Sequence, residues 1–133
     1  MKSIFRFSEA FNIGLHAMVF IAVAAPEKLQ IKDLTEVMSV SQHHLAKVLQ
    51  RLCKAGVISS VKGPNGGFYI DSDVKNISLI EIYEIIEGKF SIGNCMFEKK
   101  ICRKKVCSIG NLLETAGKSV YAYFTKTKLS DLI

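Results

Sequence analysis

Ser41 opens the run Gln42-His43-His44-Leu45-Ala46-Lys47-Val48-Leu49-Gln50-Arg51-Leu52-Cys53-Lys54-Ala55-Gly56, and no other segment constrains the fold as much. Serine is a strong N-cap and glycine a helix stop, while Leu45, Val48, Leu49, Leu52 and Cys53 recur at helical spacing along one face. A helix of this kind has to bury that face against something. Just before it, Ile31, Leu34, Val37 and Met38 mark a shorter helix from about Ile31 to Met38, and only Ser39 and Val40 separate this from the Ser41 cap. Two short helices joined by a tight turn, the second polar and basic opposite its apolar face, form a helix-turn-helix pattern.

The next segment sharpens that reading. Val57-Ile58-Ser59-Ser60-Val61 and Phe68-Tyr69-Ile70 have the composition of short strands, and Lys62-Gly63-Pro64-Asn65-Gly66-Gly67 between them is a turn. A helix-turn-helix followed directly by a hairpin is a winged helix, whose hairpin tip can lie along a DNA backbone or enter the minor groove. Lys62, Gly63 and Asn65 are the wing's candidate contacts. On the second helix, Gln42, His43, Lys47, Gln50 and Lys54 lie away from the core. Ser41, Gln42, His43 and His44, in the first turns, are candidates for base edges, and Lys47 and Arg51 for phosphates.

The expected fold is mainly α with a small β-hairpin wing: a DNA-binding head over residues 1–77, then a loop and helices for dimerisation over 78–133. A chain of 133 residues is about one domain. The net charge of +6 permits contact with nucleic acid or anionic lipid without requiring either. No phosphate-binding glycine loop, HExxH run or nucleophile beside a base supports an enzyme.

The N-terminus presents a rival. Lys2 and Arg6 precede an uncharged run from Ala10 to Pro26 that resembles a secretory signal. Glu9, Asn12 and His16, however, stand three and four residues apart and would form one polar stripe on an apolar helix. Signal sequences have no need of such a stripe, so residues 5–25 are expected to form a buried helix of a cytoplasmic, non-membrane domain. Beyond the wing, Ser78 and Glu81 form a capping box for a helix through Glu87. A final helix from about Gly110 carries Leu112, Leu113, Ala116, Val120 and Tyr123 at helical spacing, suited to core or to a dimer seam.

Between these two helices lie Cys95, Cys102 and Cys107, with six and four residues separating them. Lys99, Lys100, Arg103, Lys104 and Lys105 stand among them against one acid, Glu98, a cationic setting that suits thiolate ligands. Free thiols, a disulfide switch or zinc are the alternatives, although zinc usually takes CxxC pairs and four ligands. Cys53, on the apolar face of its helix, reads as a small core residue.

The segments Leu45-Ala46-Lys47-Val48-Leu49-Gln50-Arg51-Leu52, Ala55-Gly56-Val57-Ile58, Ser60-Val61-Lys62-Gly63 and Gly66-Gly67-Phe68 resemble the bacterial winged-helix regulators that include IscR, NsrR and CymR. The resemblance extends over nearly the whole chain. It implies a homodimeric transcription regulator, usually a repressor, that binds an imperfect palindrome in double-stranded DNA. In many members three cysteines hold an iron-sulfur cluster of two or four irons that senses redox state, nitric oxide or iron-sulfur status. Cys95, Cys102 and Cys107 match those ligand positions, with different spacing. Where some members place a histidine after the third cysteine, this chain has Ser108, Ile109 and Gly110. Others draw an oxygen or nitrogen ligand from the N-terminal helix, sometimes that of the partner subunit, and Glu9 and His16 are the candidates there. Other members hold no cluster, leaving a cluster-free repressor governed by a thiol switch, a metabolite or a partner protein. Lys62 stands where the family wing usually carries arginine, keeping the charge without the planar fork.

Overall fold

The computed structural model describes residues 6–133. Phe5, the expected start of the first helix, and Lys2 of its basic flank lie outside the described residues. The elements run α1 (Glu9–Ala24), α2 (Ile31–Met38), α3 (Gln42–Lys54), β1 (Ser59–Val61), β2 (Gly67–Tyr69), α4 (Leu79–Glu87) and α5 (Ser108–Lys126), with 3-10 turns at Ser72–Asn76 and Leu129–Leu132. This is a winged helix, with its two-stranded wing between α3 and α4.

α1 begins at Glu9, later than the expected start at residue 5, because Ser8 is extended and its hydroxyl accepts the Phe11 N–H at 3.0 Å. Phe11, Ile13, Ala17, Met18, Ile21 and Ala22 are buried, so α1 is the central helix of the core. Gly14 permits its close approach: a Cβ there would overlap the end of Ile86 in α4 and come within 3.0 Å of Val48 in α3. Among the described residues no helix is long and apolar enough to cross a membrane.

The turn between α2 and α3 places Ser39 at φ 53°, with its N–H donating to the Thr35 carbonyl at 2.9 Å. Ser41 then caps α3 by accepting the His44 N–H at 3.0 Å, and Leu45, Val48, Leu49 and Leu52 are buried against α1 and α4. Cys53 is half-buried against the same core.

The wing is an antiparallel pair with Ser59 opposite Tyr69 and Val61 opposite Gly67. β1 starts two residues later than expected, because the Val57 N–H donates to Leu52 at 3.2 Å and still belongs to the end of α3. The tip is a β-turn closed from the Gly66 N–H to the Gly63 carbonyl at 3.0 Å, with Pro64 and Asn65 at its centre. Gly66 is required there, since a Cβ would overlap the Val61 carbonyl. A rung between Leu29 and Phe68 ties the residues before α2 to β2, at 2.8 and 3.1 Å. The Gln30 side-chain amide also donates to the Pro64 carbonyl at 3.2 Å. The wing is thus braced against the base of α2.

Ser78 and Glu81 form the expected capping box of α4, whose Leu79, Ile80, Ile82 and Ile86 are buried. Its two hydrogen bonds to Ser78 hold the Glu81 carboxyl below its ordinary value. α4 packs on α1 and α3, and Leu129 after α5 is fully buried in the same core. Position 77 is therefore not a packing boundary.

Candidate nucleic-acid interface and cysteine cavity

On α3 the face opposite the core carries His43, Lys47, Gln50 and Lys54, all exposed, with Gln42 exposed at the N-terminal end. Lys62, Gly63 and Asn65 are exposed at the wing. Among the described residues the Lys118–Glu114 pair is the ion pair that involves a lysine, so Lys47, Lys54 and Lys62 carry uncompensated charge. The Ser41 hydroxyl is engaged as the α3 cap.

Two members of the expected set have partners within the chain. The His44 ring lies 3.8 Å from the Glu9 carboxylate on α1. Arg51, expected on phosphate, donates through one nitrogen to the Ile86 carbonyl at 2.8 Å. That bond sets a guanidinium at the C-terminal end of α4, where a cation is favoured. Arg51 thereby fastens the recognition helix to the residue preceding the cysteine loop by two positions.

The loop, residues 88–107, has no regular structure, yet its course along α5 is built stepwise. Phe90 packs between Tyr83 of α4 and Tyr121 of α5, at ring centroid distances of 5.3 and 5.5 Å. Ile92 lies on Gly117, where a Cβ would come within 3.0 Å of it. The Asn94 carbonyl lies on Gly110 closely enough that a Cβ would overlap it. The chain therefore runs back along α5 towards its N-terminus and delivers Cys95 beside Cys107. Helix α5 begins at Ser108, two residues earlier than expected, because Cys107 is its N-cap and its sulfur accepts the Gly110 N–H at 3.3 Å.

Cys95, Cys102 and Cys107 all line one cavity of about 210 Å³, together with Asn94, Lys100, Lys105, Asn111 and Glu114. Among the described residues no three Cys, His, Asp or Glu side chains meet closely enough to hold a single metal ion. A cluster presents several irons, so its thiolates surround a volume and need not meet at a point. Three soft donors around one cavity, with a backbone N–H and two lysines to offset negative charge, fit such a group. Glu9 and His16 are elsewhere. They line a second cleft between α1 and α2 with Asn12, Phe20, Val37, Met38 and Val40, and His16 Nδ1 bonds the Asn12 carbonyl at 2.7 Å. Within one chain the structure does not bring either of them to the cysteines.

Residues 7–133 match the Rrf2 family, described as iron-dependent transcriptional regulators. The chain belongs to the Rrf2 family. It is 31% identical over 125 residues to the HTH-type transcriptional regulator NsrR of Bacillus subtilis strain 168, covering 92% of this chain and 86% of that protein. In fold it is similar to CymR (YrzC), the global cysteine regulator of B. subtilis, with TM-score 0.76 and 22% identity over 97% of this chain and 96% of that one. T. potens IscR has the same fold at TM-score 0.72 and 19% identity, over 97% and 86% of the two chains. As an Rrf2 protein the chain is a DNA-binding transcriptional regulator, and the relatives it matches are regulators and not enzymes.

Asn94, Asn111 and Glu114 of this Rrf2 chain escape a reading of the sequence. Their one signal is the pair of small residues Gly110 and Gly117, seven apart on α5, which opens a groove for the loop. Cys53 is set apart from the other thiols. Burial pushes its thiol above the ordinary value, only partly offset by a hydrogen bond with Ser60. Iodoacetamide at mildly alkaline pH should modify exposed Cys102 and Cys107 roughly tenfold faster than Cys53. Peptide mass spectrometry checks this, and equal rates would remove the distinction.

Proposed function

We propose that this chain is a homodimeric repressor that binds an imperfect palindrome and whose DNA affinity is set by an iron-sulfur cluster held by Cys95, Cys102 and Cys107. The observation that carries the reading is the shared cavity of the three thiols at the start of α5. The family's iron dependence supports it. Dimerisation is supported by α5, which in a single chain leaves Leu112 62% and Tyr123 56% exposed and buries only Gly110 and Phe124. A second copy is the natural cover for such a face.

When bound, the cluster would supply a centre that reacts with oxidants or nitric oxide. The chain's own residues do the rest. Phe90, Ile92 and Asn94 hold the loop on α5, and Arg51 holds the end of α4 to α3. A change in the loop's order therefore acts at the end of α4 and through Arg51 on the recognition helix. The two recognition helices of a dimer must meet half-sites about one turn of DNA apart, roughly 34 Å, so a small rotation of α3 is enough to change affinity. On each head His43, Lys47 and Gln50 would enter the major groove, with Gln42 at its edge. Lys62, Gly63 and Asn65 would contact the adjacent backbone.

Lys62→Ala should weaken operator binding and lower the slope of log affinity against log salt by about one phosphate equivalent. Fluorescence anisotropy over a salt series reads this, and an unchanged slope takes Lys62 out of the interface. A second reading is favoured by the exposure of Cys102 and Cys107 around the same cavity: a thiol switch without metal. Diamide would then change operator affinity of metal-free protein and dithiothreitol would restore it, whereas a cluster sensor would show neither effect.

A further inference from the structure

The cations of the cysteine loop outnumber those its cavity uses. Residues 95–107 carry five cations against one acid, +4 of the chain's net charge of +6, so most of the charge that attracts a polyanion stands outside the recognition helix and the wing. All five cations are exposed, and among the described residues none of them forms an ion pair. Lys100 and Lys105 line the cysteine cavity, whereas Lys99, Arg103 and Lys104 do not. We propose that Lys99, Arg103 and Lys104 form a second, sequence-independent contact with the phosphate backbone of DNA, separate from that of α3 and the wing.

The loop leaves α4 at Gly88, two residues after the carbonyl that Arg51 of the recognition helix holds. Its cationic part is seated at the far end, by Cys107 and Gly110 at the start of α5, while Phe124 packs on Phe11 in the core of the head at 5.7 Å. The step from Gly110 to Phe124 in α5 spans about 21 Å. The patch therefore meets phosphates other than those beneath its own α3, and duplex DNA offers one charge about every 1.7 Å of its axis. Arg103 brings a planar fork that fits a phosphate, and the two lysines bring point charges. An anionic lipid surface is the rival partner, since Phe97 and Ile101 are exposed beside the cations. A membrane-surface segment sets its apolar side chains along one face of a helix, however, and residues 96–105 form no helix.

The test is the slope of log affinity against log salt for the full-length protein, on an operator duplex and on a duplex of unrelated sequence. Combining Lys99→Gln, Arg103→Gln and Lys104→Gln removes three cations from each subunit of a dimer and should lower both slopes by about 3 to 5, at about 0.9 per phosphate. The ratio of operator to unrelated affinity should stay as in wild type, because phosphate contacts do not read sequence. Arg103→Gln alone should lower both slopes by about 2, and Lys99→Arg with Lys104→Arg should keep them. Far-UV circular dichroism and size exclusion control for folding and assembly. The slopes are read equally on protein with or without iron, so the proposal stands apart from the cluster reading. Unchanged slopes in the triple variant overturn it, and so does a fall confined to the operator. Unchanged slopes with lost iron and colour would return these cations to the cluster, and unchanged slopes with lost binding to phosphatidylserine vesicles would make the patch a lipid contact.

Discussion

Cys102→Ala should abolish the visible absorption and bound iron of anaerobically prepared protein while leaving its fold and dimer intact. The side chain is exposed in a loop without regular structure, and its loss opens no hole in the core. Surface substitutions of this sort change stability by no more than about 0.5 kcal/mol. The chemistry is far less tolerant. A cluster held by three thiolates and one weaker donor has no spare ligand, and the remaining two cysteines cannot enclose it. Iron and sulfide analysis with size exclusion reads both halves of the expectation, and retained colour would remove Cys102 from the ligand set.

Gly110→Ala should produce nearly the same loss by a different route. A methyl group at this position overlaps the backbone carbonyl of Asn94 and lies 3.4 Å from the Cys107 Cβ. Backbone cannot swing aside as a long side chain can, so the loop must lift from α5, at a cost of about 1–3 kcal/mol. That corresponds to a roughly 5- to 150-fold weaker docking of the segment that delivers Cys95. Alanine meanwhile favours helix over glycine by about 1 kcal/mol. Helix content and thermal midpoint should therefore hold or rise while cluster loading falls, a combination that general destabilisation does not produce. Normal loading in Gly110→Ala would contradict the docked course of the loop.

The head was legible because its signals are local. Ser41, Gly56 and the spacing of Leu45, Val48, Leu49 and Leu52 determine α3 almost alone, and the bounds of α2 follow from Ile31 and Met38. The capping box at Ser78 marks α4 equally well. Tertiary contacts decide the rest. Nothing in the run around Arg51 reveals that its partner is a carbonyl 35 residues away, and exposed arginine on a recognition helix reads naturally as a phosphate contact. The partner of His44 is hidden for the same reason, since Glu9 is brought beside it only by the packing of α1 on α3.

The cysteine segment was readable as a ligand set but not as a shape. Its residues are polar, basic and aperiodic, and its course depends on Phe90, Ile92 and Asn94 finding Tyr121, Gly117 and Gly110 on a helix that follows later in the chain. Glu9, Asn12 and His16 share one face of a helix, as their spacing predicts, and all three residues are exposed on it. Its destination, a separate cleft against α2, depends on how two helices pack.

The measurement that bears most directly on a cluster-controlled regulator is operator affinity of anaerobically purified protein, taken alongside its iron, sulfide and absorption spectrum, before and after exposure to air. Fresh protein should contain iron with sulfide, and its affinity should change in step with bleaching of the colour. Colourless, metal-free protein whose operator affinity is the same before and after air would contradict cluster control.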